Sequence, residues 1–168
     1  MVKLLNLIDL VNERVGVWTR WLAVAMVLIG VVGVVRRYLL HQSTAWEYEL
    51  IVMTGAAMYV LSWGYVLLHN AHTRVDIIYS RFSPRGRALI DAIGALLFLF
   101  PLIGAMTRVS YSWMLFSISI KETSATTYVY PPLYPLRTIV FIGFLLFLLQ
   151  GVNFFIRNVY YVIKGDRL

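Results

Sequence analysis

Charged residues come in clusters along this chain, and between the clusters lie four long apolar stretches: 21–35, 50–73, 92–107 and 138–156. A bilayer hydrocarbon core about 30 Å thick takes roughly 17–25 mostly apolar residues per crossing helix. Four such helices account for about half of 168 residues, which leaves connections too short for a soluble catalytic domain. The pattern predicts an all-α integral membrane protein with four transmembrane helices. The spans fall at about 18–37, 47–69, 86–110 and 137–157, within a single membrane domain covering 1–168.

Residues 1–17 read differently. Leu4, Ile8, Val11 and Val15 recur at helical steps while Lys3, Asp9, Glu13 and Arg14 lie off their stripe. The segment is therefore expected as an N-terminal amphipathic interfacial helix, with Trp18 and Trp21 in the aromatic belt beyond it. A cleaved secretory leader is the alternative. No small-residue cleavage site follows the apolar run, and Arg36-Arg37 ends it abruptly, so an uncleaved anchor is favoured.

Local signals mark the helix ends. Thr44 with Glu47 three residues later forms a capping box for the second span, and Ser83-Pro84 is an N-cap followed by proline at the first helical position. Pro101 is expected to kink the third span. Arg108 lies 24 residues past Pro84, about 36 Å along a helix, which puts it near the far interface, where it snorkels. Pro131, Pro132 and Pro135 exclude regular helix before about Leu136.

Composition agrees with the pattern: 60% of residues are hydrophobic and 14% charged, against roughly 25% charged in soluble domains. The placement of positive charge sets the topology. With four spans, one side holds Lys3, Arg14, Arg20, Arg74, Arg81, Arg85, Arg87, Arg157, Lys164 and Arg167. The other holds Arg36, Arg37, Lys121 and Arg137. This asymmetry puts both termini in the cytoplasm.

The chemistry to be sought inside the membrane is sparse. Cysteine is absent, which excludes disulfides and thiolate metal sites. The apolar cores of the first, second and fourth spans carry no charge, whereas a pump or carrier acting alone usually shows acids or histidines at mid-depth. His41 lies in a loop and His69 and His72 share one helix end, so they do not form a facing haem pair. No nucleophile–base set stands out, so no enzyme activity, cofactor or metal is expected. The basic stretch between spans two and three fits lipid headgroups better than nucleic acid.

Several short elements, taken in order, resemble one family. Arg37-Tyr38 ends span one, and Trp46-Glu47-Tyr48-Glu49-Leu50 opens span two. His72-Thr73-Arg74-Val75-Asp76 follows span two, Ser83–Asp91 opens span three, and Leu149-Gln150-Gly151 closes span four. Together they are similar to the small membrane subunit of tripartite ATP-independent periplasmic (TRAP) transporters, the DctQ-like family. The resemblance implies a non-catalytic scaffold in the bacterial inner membrane, bracing a large DctM-like membrane subunit. A periplasmic substrate-binding protein would deliver an organic acid for uptake driven by an ion gradient. It also implies a role for the two charged clusters as subunit-interface or anchoring groups: Arg37, Trp46 and Glu49 at the outer end, His72, Arg74 and Asp76 at the inner end. The alternative is a stand-alone four-helix carrier or small membrane enzyme.

Overall fold

A computed structural model describes residues 2–42, 45–71, 79, 82–126 and 130–166. They form four helices long and apolar enough to cross a membrane: α1 (Val2–Leu39), α2 (Ala45–Leu68), α3 (Pro84–Ser119) and α4 (Tyr134–Lys164). No strand occurs among the described residues; a single antiparallel bridge, Thr123 to Pro132, pins the loop before α4.

The helices stand in an open row rather than a closed bundle. α2 lies between α1 and α4, and α3 packs on α4. α4 thus touches all three others and is the axis of the fold. Its aromatic contacts show the same thing. Trp63 of α2 sits 5.4 Å from the Phe144 ring and 5.9 Å from Phe147, while Phe100 and Tyr111 of α3 meet Phe155 and Phe141 at 5.5 and 5.3 Å. An open row buries little: in the most apolar stretch of α1 only 6% of residues are buried, so most of that helix faces lipid or another protein.

α1 departs from expectation. Residues 2–17 of the expected 1–17 segment do not form a separate helix; they run unbroken into the first span, giving 38 residues and about 57 Å of helix. Its buried positions are Leu5, Asn12, Thr19 and Gly33, multiples of seven apart, the repeat of helices that wind about a neighbour. The apolar stripe is displaced from this face by one residue: Leu4 and Val11 are exposed. The physical reason is that Asn12 and Thr19 make the contact, and polar seam residues are invisible to a count of apolar ones.

Where helices cross closely, glycine is required. At Gly143 of α4 a β-carbon would come within 2.9 Å of the Val60 backbone on α2. At Gly64 of α2 it would strike the side-chain oxygen of Asn12, and at Gly16 of α1 the Tyr65 ring. These positions bring backbones together as small residues do in lipid.

α3 begins as its sequence predicts: the Ser83 hydroxyl accepts a hydrogen bond from the Gly86 amide at 3.2 Å, with Pro84 in the first turn. Pro101 lacks an amide for the i−4 carbonyl, and the helix accommodates this with a π-turn over Ala95–Leu99. α4 starts at Tyr134, earlier than expected, because Pro135 falls in the first turn where its missing N–H costs nothing. α2 and α3 end in Schellman motifs. Ala71 and Asn70 donate to the Val66 and Leu67 carbonyls, and Glu122 and Lys121 to those of Ser117 and Ile118, with Asn70 and Lys121 left-handed.

Candidate functional site

Two polar assemblies hold the ends of the row. At the end bearing the termini, Asp9 of α1 is the hub. Its Oδ1 accepts from Gln150 Nε2 at 2.9 Å and from Asn153 Nδ2 at 2.6 Å, and its Oδ2 faces Arg157 Nη2 at 2.7 Å. Arg157 also donates to Asn153 Oδ1 at 3.1 Å and to Asn6 Oδ1 at 3.1 Å. Asn153 further donates to the Leu5 carbonyl, and Asn12 Nδ2 donates to Gln150 Oε1 at 3.0 Å. Asn12, Gln150 and Asn153 are all but inaccessible.

The helical period explains the placement. Gln150, Asn153 and Arg157 fall at steps of three and four on one face of α4, and Asp9 and Asn12 at a step of three on α1. In lipid the alternative for each amide would be an unsatisfied polar group, so the network fixes the register of α1 against α4. A cavity of about 530 Å³ adjoins it, with Asp9, Arg157, Arg87 and Asp91 on its walls.

At the opposite end the contacts are ionic and looser. Arg36 Nε lies 3.4 Å from Glu47 Oε1, and the Arg36 guanidinium sits 5.2 Å from the centre of the Trp46 ring. Glu47 and Glu49 are both buried in the first turns of α2, Glu47 against Gly33 of α1. The helix dipole favours carboxylates there. Neither Glu47 oxygen has a hydrogen-bond partner among the described residues, nor has Arg36 Nε. Near α3 and α4, Glu122 pairs with Arg137 at 3.3 Å, and Arg137 stacks 4.8 Å over Trp113. The Ser117 hydroxyl, then Arg137, hold the Glu122 carboxyl below the usual glutamate range, although Ser117 falls short of a well-formed hydrogen bond.

Of the residues expected at the site, Trp46 and Glu49 lie in this second assembly, half-buried and buried. Arg37 does not face α2: it is exposed and its guanidinium lies 6.0 Å from the ring of its neighbour Tyr38, while Arg36 makes the contact instead. His72, Arg74 and Asp76 lie outside the described residues, as does Thr44 of the expected capping box. The Asp9–Asn12–Gln150–Asn153–Arg157 network was not foreseen. The available signal was Asn and Gln at helical spacing inside an apolar run, where polar side chains are costly unless partnered.

The family model for tripartite ATP-independent periplasmic transporters, DctQ component, matches residues 26–160. The chain belongs to the DctQ family. It is a multi-pass membrane component of a TRAP transporter. A comparison with curated proteins found no match. The DctQ match covers α2, α3 and most of α4, and starts inside α1 after the segment carrying Asp9 and Asn12. The α1 side of the Asp9–Arg157 network, Asp9 and Asn12, thus lies outside the matched region.

Proposed function

We propose that this chain is the non-catalytic small subunit that braces a large, DctM-like permease subunit in the bacterial inner membrane. The complex takes up an organic acid handed over by a periplasmic binding protein and is driven by an ion gradient. Both termini are cytoplasmic, which makes the Asp9–Arg157 end the inner one. The observation that carries this reading is how the polar groups are used. The inner network is spent on tying α1 to α4, while broad apolar flanks on α1 (Val24, Val27, Leu28, Val31) and α3 (Leu97, Phe98, Leu102) remain exposed. A rigid row with open flanks suits a brace.

The chain has no cysteine, so single-cysteine variants report on neighbours without background. With the large subunit co-expressed, Val27→Cys or Phe98→Cys is expected to cross-link to it. The charge reversals Glu49→Arg and Asp76→Arg are expected to reduce assembly and uptake. If both reversals leave assembly and uptake unchanged, these residues are not partner contacts. Failure of the chain to co-purify with any large membrane subunit would remove the bracing role.

A further inference from the structure

The outer half of the α3–α4 seam opens sideways into a groove of about 430 Å³. Met106 and Val109 of α3 form one wall, Val140 and Phe144 of α4 the other, and Ala105 leaves room between them. Trp113 and Arg137 stand at its mouth, level with the loop that carries Glu122. Phe144 also packs on Trp63 of α2, but none of the groove's lining residues belongs to α1 or α2.

Size limits the occupant. Two turns of helix about 10 Å across sweep about 850 Å³, so a groove of this size would not enclose a partner helix. A single hydrocarbon chain is narrow enough. The mouth then selects a headgroup. Arg137 Nη2 and Nε lie 3.3 and 3.4 Å from the two Glu122 oxygens, longer than the roughly 2.7–2.9 Å of a tight charge-assisted pair. Both side chains keep part of their surface accessible, 36% for Arg137 and 20% for Glu122. Arg137 therefore stands at the mouth with its partner Glu122 just beyond the lining, beside an indole of the kind that settles at headgroup depth.

We propose that this groove binds one membrane phospholipid with a zwitterionic, amine-bearing headgroup. An acyl chain lies between α3 and α4, the phosphate on Arg137 and the ammonium on Glu122. A purely anionic headgroup would gain the arginine but meet the carboxylate. The site does not depend on the assembly proposed above, since every group belongs to this chain.

The test uses the full chain purified in detergent, stripped of lipid, and titrated with phosphatidylethanolamine or phosphatidylglycerol of equal acyl chains under native mass spectrometry. One phosphatidylethanolamine is expected to bind, saturating at about tenfold lower concentration than phosphatidylglycerol. Glu122→Gln should erase that preference. Ala105→Trp fills the groove and should lower occupancy by about tenfold with helix content unchanged; Val140→Trp, on the opposite wall, repeats the test if the first variant misfolds. Equal binding of the two lipids by the unmodified chain, or undiminished binding in the tryptophan variants, would overturn the site. So would a protein cross-link from Met106→Cys that persists while no lipid adduct forms.

Discussion

The two ends of this helix row are held by different physics. At the inner end Asp9, Asn12, Gln150, Asn153 and Arg157 share hydrogen bonds of 2.6 to 3.1 Å that leave little capacity for anything outside the chain. At the outer end Arg36–Glu47 and Arg137–Glu122 stand at 3.3 to 3.4 Å, and the buried Glu47 carboxylate has no hydrogen-bond donor among the described residues. Among the described residues the first joint leaves only Asn12 Oδ1 without a hydrogen-bond partner, whereas the second leaves Arg36 Nε and both Glu47 oxygens. In the proposed brace the end bearing the termini sets the internal register, and the opposite end is where an external group would gain most by binding.

Breaking the inner joint should have the largest effect. Gly64→Leu drives a branched side chain into Asn12 across the α1–α2 crossing and costs more than about 3 kcal/mol, seen as loss of monodisperse protein on size exclusion. Asp9→Ala removes the acceptor shared by Gln150, Asn153 and Arg157. Because the Asp9–Arg157 pair is partly accessible, at 23% and 35% respectively, the cost is about 2 kcal/mol rather than that of a fully buried pair. A thermal-unfolding comparison with the Arg157→Ala and double variants should show coupling of about 1 kcal/mol or more.

The outer joint should respond in the opposite sense. Glu47→Gln keeps the shape and removes a charge that, among the described residues, only Arg36 opposes at 3.4 Å, so the isolated chain should change by less than about 1 kcal/mol. Its effect should appear as reduced recovery of the large subunit in co-purification. A large stability loss with unchanged assembly would reverse the contrast between the two ends.

The smallest effect concerns pH at the α3–α4 loop. The Glu122 carboxyl is lowered in the folded chain, so its contribution is present above the ordinary glutamate value of 4.5 and is lost as pH falls through the depressed folded value. Glu122→Gln should therefore lower the melting temperature slightly at neutral pH, by an amount kept small by the pair's exposure, and match the unmodified chain below the depressed value, which flattens the acid side of the profile.

The four-helix architecture was legible in the sequence because uncharged runs of membrane length have few other uses, and the Ser83-Pro84 start was legible because an N-cap is a local device. Two things were not. The unbroken α1 was hidden because an amphipathic reading follows Leu4 and Val11, whereas the buried seam runs through Asn12 and Thr19. The inner network was hidden because its partners lie some 140 positions apart, as with Asp9 and Gln150, and only the fold joins them. Arg36 and Arg37 show the finest limit: adjacent arginines on a helix point about 100° apart, and the sequence does not say which one meets Glu47.

Reconstitution into proteoliposomes tests the central claim most directly. The chain alone, under an imposed sodium gradient and with the organic acid outside, should carry no saturable flux. Uptake should appear only when the large membrane subunit and the substrate-loaded binding protein are both added. Saturable uptake by the chain alone would contradict the brace and make it a carrier in its own right.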